Sequence, residues 1–177
     1  MSSHSAVPLL RACSLGAALC LAACSSDVSR DALAPTAPAP SAANIASPFR
    51  GTLEAQTTSF TPLGPTTGLF GSEGTGTATH LGRYTVVVAL TLDFTTSRGT
   101  EQITLTAADG DMLTATATAE GTPTGDGVTV NVVETATITG GTGRFAGATG
   151  HYILKCLVNQ ATGVSTGMFE GTIILDH

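Results

Sequence analysis

The stretch Thr-Gly-Gly-Thr-Gly-Arg-Phe-Ala-Gly-Ala-Thr-Gly, residues 139–150, decides the fold of this 177-residue chain because it fits two incompatible structures. Gly141-x-Gly143-x-x-Ala146 follows a strand-like run that ends at Ile138, as in a dinucleotide-binding turn. The alternative is a glycine-rich corner between two antiparallel strands, which carries no chemistry in itself. The choice between the two structures decides the class of the protein.

The residues that follow the stretch favour the corner. A dinucleotide-binding turn leads into a helix whose N-terminus faces the pyrophosphate, but residues 151–158, His-Tyr-Ile-Leu-Lys-Cys-Leu-Val, are strand-like and the chain ends soon afterwards. No Gly-Lys-Ser/Thr follows either, so a phosphate loop is excluded. We expect Arg144 to bind backbone carbonyls in this corner, or to hold a carboxylate ligand. The predicted corner glycines are Gly140, Gly141, Gly143, Gly147 and Gly150.

Outward from the corner, apolar and polar residues alternate with a period of two, which is typical of strands with one buried face. The clearest alternation runs from Tyr84 to Phe94. Turn residues separate eight such segments, and short connections favour antiparallel neighbours. The eight predicted strands are Phe49–Gln56, Gly74–Leu81, Arg83–Phe94, Glu101–Ala108, Met112–Glu120, Val128–Ile138, His151–Val158 and Gly167–Leu175.

Eight antiparallel strands without a helix leave two exposed edges, and closure into a barrel removes them. The first and last strands share the pattern Phe-x-Gly-Thr-aliphatic, at residues 49–53 and 169–173. Either these strands are neighbours across the seam, or the match is an accident of a chain rich in Thr and Gly. The predicted fold class is all-β, an eight-stranded antiparallel barrel.

The N-terminal segment predicts a secreted protein with a lipid anchor. Residues 1–23 contain a short uncharged apolar run, too short to span a bilayer as a helix, which indicates a signal peptide. The run ends in Leu-Ala-Ala-Cys, which resembles a bacterial lipobox and implies lipidation of Cys24; the alternative is an ordinary cleavage site. Ser25 follows in place of Asp, which favours the outer membrane of the cell envelope. Residues 24–47 are a Pro/Ala/Ser-rich disordered linker, and residues 48–177 form the barrel domain.

Charge and cysteine content exclude several classes of partner. The net charge of −6 argues against nucleic acid. Cys156 is the one cysteine of the predicted barrel domain, so this domain forms no internal disulfide and no cysteine cluster for a metal. The histidines show no metal-ligand spacing. We therefore expect no metal and no other cofactor.

Three segments together suggest a family. The stretch 139–150, Gly-Thr-Ala-Thr-His-Leu-Gly-Arg at residues 76–83 and Gly-Thr-Ile at residues 171–173 resemble the allene oxide cyclase and dirigent barrel family, over about residues 48–177. The resemblance implies an eight-stranded barrel, commonly a homotrimer, with an apolar cavity open at one end. Plant members cyclise an unsaturated fatty-acid epoxide or steer the coupling of phenoxy radicals. Their pocket residues do not map onto this chain, so the resemblance carries the fold and not the activity.

Four side chains are candidates for a ligand site. Glu134 has the strand parity of apolar residues, so it is either a proton donor or polar anchor inside the barrel, or is turned outward by a bulge or into a surface ion pair. Tyr84 and Tyr152 either bind a ligand at the barrel mouth or fill the core. Cys156 shares the apolar face of its strand, as a ligand contact or an inert buried thiol. Glu134 is the weak candidate for a catalytic residue.

Three functions remain open at this stage. The first is a lipid-tethered barrel that binds a small hydrophobic molecule without catalysis. The second is an isomerase or cyclase that acts on an oxygenated fatty-acid-like substrate, with Glu134 and a tyrosine as its polar groups. The third is a structural or interaction lipoprotein. The interior of the barrel discriminates among them.

Overall fold

The computed structural model describes residues 45–176 of the chain. The predicted signal peptide, Cys24 and most of the predicted linker lie outside the described residues. None of the elements in this part is a helix of the length and apolarity needed to cross a bilayer. The elements are the strands β1 Ser47–Pro62, β2 Thr67–Ala78, β3 Gly82–Asp93, β4 Arg98–Ala107, β5 Met112–Pro123 and β6 Thr129–Gly141, then the 3-10 turn Gly143–Phe145, then β7 Thr149–Asn159 and β8 Val164–Ile174.

The strands form a closed antiparallel barrel in which each strand pairs with the next and β1 pairs with β8. The predicted fold class is therefore confirmed. The seam brings the two Phe-x-Gly segments together, because Phe49 lies opposite Gly171 and Gly51 lies opposite Phe169. A Cβ atom at Gly51 would come within 2.5 Å of Cζ of Phe169. The glycine is needed because the phenyl ring of Phe169 covers this position inside the barrel.

One end of the barrel is filled by side chains. We call it the closed end; it is where β1, β3, β5 and β7 begin. An eight-stranded barrel is just wide enough for side chains to fill, and each large apolar side chain buried there contributes about 1.5–3 kcal/mol. The residues with the least exposure at this end are Phe49, Leu113, Phe145 and Ile173.

The opposite end is less densely covered, and we call it the open end. Inward-facing residues there keep part of their surface exposed, in contrast to the fully buried residues of the closed end. The short connections at this end are Asx turns, since carboxylate oxygens of Asp93 and Asp126 accept hydrogen bonds from backbone N–H groups two residues further on. Hydrogen bonds from the Thr95 hydroxyl and N–H to Asp93, and from the N–H groups of Thr129 and Val128 to Asp126, lower the pKa of both carboxyls, so the two aspartates are ionised at neutral pH.

The β1–β2 hairpin is longer than the sequence predicts. The predicted strands stop at Gln56 and resume at Gly74, whereas β1 and β2 stay paired up to Pro62 and Gly68. The pairing of β1 with β8 ends at Gln56, so the last six residues of β1 extend beyond β8. We call residues 57–62 and 67–72 the lip. A bulge between Thr57 and Ser59 changes the strand parity, which hid this segment from a period-two pattern.

Candidate functional site

Two glutamates meet inside the barrel. Glu101 on β4 and Glu134 on β6 both face inward, and their side chains are 4% and 8% exposed. The strand between them, β5, places Ala117 opposite Glu101 and Ala119 opposite Glu134. Because alanine leaves the space above β5 empty, the longer side chains from either side reach across it. The inward alternative for Glu134 therefore holds, and neither a bulge nor an ion pair turns it outward.

The two carboxyls interact, and their surroundings favour the protonated form of both. Burial raises the pKa of both groups, and the negative charge of Glu101 raises the pKa of Glu134 further. Their hydrogen bond lowers the pKa of Glu101 and raises that of Glu134, so Glu134 is the carboxyl of the pair that holds its proton to the higher pH. Oε2 of Glu101 is buried and has no hydrogen-bond partner. The pair thus presents one buried, unpaired acceptor inside the barrel.

Glu101 was missed at the sequence level, although the signal was available. Glu101, Ile103, Leu105 and Ala107 alternate with polar residues, and the same parity argument that selected Glu134 selects Glu101. Its position at the first residue of the predicted fourth strand concealed it, since strand ends are normally exposed. The structure begins β4 three residues earlier, at Arg98, which moves Glu101 inside the barrel.

Cys156 lies beside this pair on β7. Its Sγ donates a long contact of 3.9 Å to Oε1 of Glu134. Burial and the neighbouring glutamate charges raise the pKa of the thiol to about 12. Cys156 is therefore a protonated thiol at neutral pH, with no histidine on the inner face of the described strands to activate it.

The two tyrosines lie toward the closed end and not at the mouth. The hydroxyl of Tyr84 donates to the carbonyl of Thr52 at 2.7 Å. The ring of Tyr152 packs against Phe49 and Phe169, with centroids 5.6 Å and 5.1 Å away. Burial raises the pKa of both phenols, which stay neutral. This arrangement corresponds to the core-filling alternative, and it leaves both tyrosines remote from the lip.

Three phenylalanines form an exposed cluster at the open end. Phe60 and Phe70 face each other across the lip with ring centroids 4.8 Å apart, and Phe94 lies 6.3 Å and 6.2 Å from them. The side chains of Phe60 and Phe94 remain 51% and 46% exposed. A Cβ at Gly68 would come within 2.9 Å of the Phe94 ring, so glycine makes room for the cluster.

The aromatic cluster is continuous with the inner wall of the barrel. Phe70 pairs with Leu90 on β3, whose side chain faces inward in line with Val86 and Val88. From the rim inward, a surface of half-buried apolar side chains leads from the lip toward the glutamates. Its members are Val88, Leu90, Leu92, Val130, Val132 and Val158.

The glycine-rich corner connects β6 to β7. Gly140, Gly143, Gly147 and Gly150 have positive φ angles of 138°, 54°, 71° and 143°. These glycines turn the chain so that Phe145 enters the closed end. The prediction for Arg144 needs correction, because its guanidinium binds the carboxylates of Asp109 and Asp111 in the β4–β5 connection and not backbone carbonyls.

Two grooves of about 700 Å³ and about 680 Å³ lie on the outer wall of the barrel. Outward-facing threonines dominate their walls, and neither groove contains Glu101 or Glu134. We place the candidate site at the open end, because there apolar surface and a buried polar pair occur together. Within residues 45–176, no three His, Cys, Asp or Glu side chains converge to hold a metal ion.

The fold and the site define a class: a small antiparallel barrel with one plugged end and one open, aromatic-lined end. No family model, curated protein or solved structure matches this chain.

Proposed function

We propose that the protein is a lipid-tethered barrel of the cell envelope that binds a small apolar molecule at its open end. The observation that carries this proposal is the exposed cluster of Phe60, Phe70 and Phe94, which adjoins the half-buried inner wall. Contiguous exposed apolar surface of this kind marks binding sites more often than idle surface.

The energetics of the lip support a bound ligand. Phe60 and Phe94 are each about half exposed, and covering apolar surface contributes about 25 cal/mol per Å². The rings are already packed against one another, so a ligand has little side-chain entropy to remove. The resemblance to the allene oxide cyclase and dirigent family, whose barrels have an apolar cavity open at one end, agrees with this location. Cys24 and the outer membrane enter the proposal from the lipobox resemblance.

An isomerase is the second proposed function, and one observation favours it. Burial and the neighbouring Glu101 raise the pKa of Glu134 well above its ordinary value, which favours the protonated form that a general acid needs. A third reading, a structural lipoprotein, draws support from the closed end, where side chains fill the barrel.

The binding proposal is tested with a neutral apolar probe, N-phenyl-1-naphthylamine, whose fluorescence rises in apolar sites. We expect saturable binding to the purified protein, weakened at least threefold by Phe60→Ala. Met168→Ala is the matched control, since Met168 is a 70% exposed apolar residue on the outer wall. Absence of saturable binding, or equal weakening by both substitutions, would contradict the proposal.

Turnover separates the enzyme from the binder. An isomerase converts epoxy fatty acids in a reaction that depends on the Glu134 proton, so Glu134→Gln should abolish conversion. Equal conversion by the wild type and the Glu134→Gln variant removes this residue from any mechanism.

A further inference from the structure

We propose that the ligand is a small apolar amine, with its ammonium group held by Glu101 and Glu134 and its apolar part lying along the open end. This inference rests on the proposed function, since it names the chemical class of the molecule that the open end binds.

The first argument is the unused acceptor. Oε2 of Glu101 is buried without a partner, in a side chain only 4% exposed. Buried polar atoms nearly always have a hydrogen-bond partner, so such an atom calls for a donor that arrives with a ligand. An ammonium group supplies three donors and no acceptor, which suits a buried carboxyl with an unpaired oxygen.

The second argument is charge. Ionisation of either carboxyl places a negative charge inside the barrel, and an isolated buried charge is costly unless a cation lies near. No basic side chain of residues 45–176 supplies that cation, because all of them are exposed on the outside of the barrel. They are Arg50, His80, Arg83, Arg98, Arg144, His151 and Lys155.

The third argument is the route from the rim to the pair. The last inward positions between Glu101 and the rim are Gly99 on β4 and Gly121 on β5, which add no side chain. Leu90 lies over Gly99 and Val130 lies over Gly121, so the surface between the rim and the carboxyls is apolar. A ligand that reaches the carboxyls along this surface needs a slim apolar body behind a small polar head.

The fourth argument is the field at the rim. Asp93 and Asp126 are ionised there, while the nearby Arg98 is paired with Glu120 at 3.1 Å. The faces of Phe60, Phe70 and Phe94 also attract cations. A fatty-acid carboxylate directed inward meets the opposite situation, with like charge at the rim and further carboxyls inside.

The test uses three probes of equal length, hexylamine, hexan-1-ol and hexanoate, titrated into the purified protein by isothermal calorimetry at pH 7. We expect hexylamine to bind at least tenfold more tightly than hexan-1-ol, and hexanoate more weakly than both. Glu101→Gln should reduce the preference for the amine over the alcohol from at least tenfold to less than twofold. Glu73→Gln is the matched control, because it removes one charge from an exposed position on the outer face of β2.

The outcomes separate this inference from the proposed function. Equal binding of amine and alcohol, or an amine preference that survives Glu101→Gln, overturns the amine assignment and leaves apolar binding intact. The amine assignment is also overturned if Glu73→Gln loses the amine preference, because the preference then depends on net charge and not on Glu101. If none of the probes binds and N-phenyl-1-naphthylamine does not bind either, the proposed function fails. The comparison of probes on the wild type stands even if Glu101→Gln does not fold.

Discussion

Replacing Glu134 by Gln should change how the stability of the barrel depends on pH. The unfolded chain releases the protons of Glu101 and Glu134 near pH 4.5, whereas desolvation raises the pKa of both carboxyls in the folded state. The folded protein then holds more protons than the unfolded chain. The stabilisation that results is complete below pH 4.5 and is lost as the pH rises toward the folded pKa.

The size of the effect follows from proton linkage. Each proton retained by the folded pair makes the unfolding free energy fall by about 1.4 kcal/mol per pH unit within that window. Glutamine has no proton to lose, but its amide can still donate to Glu101. From pH 5 upward, the unfolding free energy of the Glu134→Gln variant should therefore fall less steeply with pH than that of the wild type. The difference between the two slopes should be about 1.4 kcal/mol per pH unit until the wild-type pair releases its proton.

Other titrating groups act in a different window. Hydrogen bonds lower the pKa of Asp93, Asp109 and Asp126 below 3.8. The ionised aspartates stabilise the folded state above their unfolded pKa, and this stabilisation is lost as the pH falls through their lower folded pKa. That pH range lies below the range in which the glutamates titrate. The two effects can thus be separated by measuring above pH 5.

The assay is urea unfolding followed by far-UV circular dichroism at pH 5, 6, 7 and 8, because the chain contains no Trp to report by fluorescence. Glu73→Gln, at an exposed position, serves as the control and should follow the wild type. Parallel pH slopes for the wild type and Glu134→Gln would refute the assignment of a proton-retaining pair inside the barrel.

Three further predictions concern other parts of the chain. Phe145→Ala removes a 0% exposed ring from the closed end and should lower the unfolding free energy by about 3–5 kcal/mol. Phe94→Ala removes a 46% exposed ring from the open end and should lower the unfolding free energy much less. Urea unfolding compares the two variants, and similar losses would contradict the assignment of the closed and open ends. Cys156 should resist alkylation by iodoacetamide in the folded protein and react fully in urea, and mass spectrometry of the labelled chain measures both. Rapid labelling without urea would contradict this prediction, because it would mean that the thiol is accessible or ionised. Cys24→Ser should abolish incorporation of labelled palmitate in a bacterial host and release the protein from the membrane fraction, and unchanged incorporation would exclude lipidation at this cysteine.

The barrel could be predicted because its strands follow local rules. Tyr84 to Phe94 alternates without interruption, and the repeated Phe-x-Gly-Thr pattern marks the two strands that meet at the seam. Each short connection restricts the chain to an antiparallel neighbour. The glycine-rich corner was identified as structural by elimination, since nothing after Gly150 could complete a nucleotide site.

The candidate site was only half predictable. Glu134 was visible by parity, but its partnership with Glu101 depends on the alanines of β5, which matter only when three strands are placed side by side. The lip was hidden because Pro62, Gly64 and Pro65 indicate a loop, and the bulge at Thr57 interrupts the alternation. Long-range pairing outweighs those local signals, and a single sequence does not display it.

The direction in which β1 enters the barrel has a consequence for orientation. Ser47 begins β1 at the closed end, and β8 finishes there at Ile174, so both ends of the described domain leave from the same pole. A tag or fusion partner joined to either end of this domain therefore enters at the pole opposite the lip and leaves the aromatic rim uncovered.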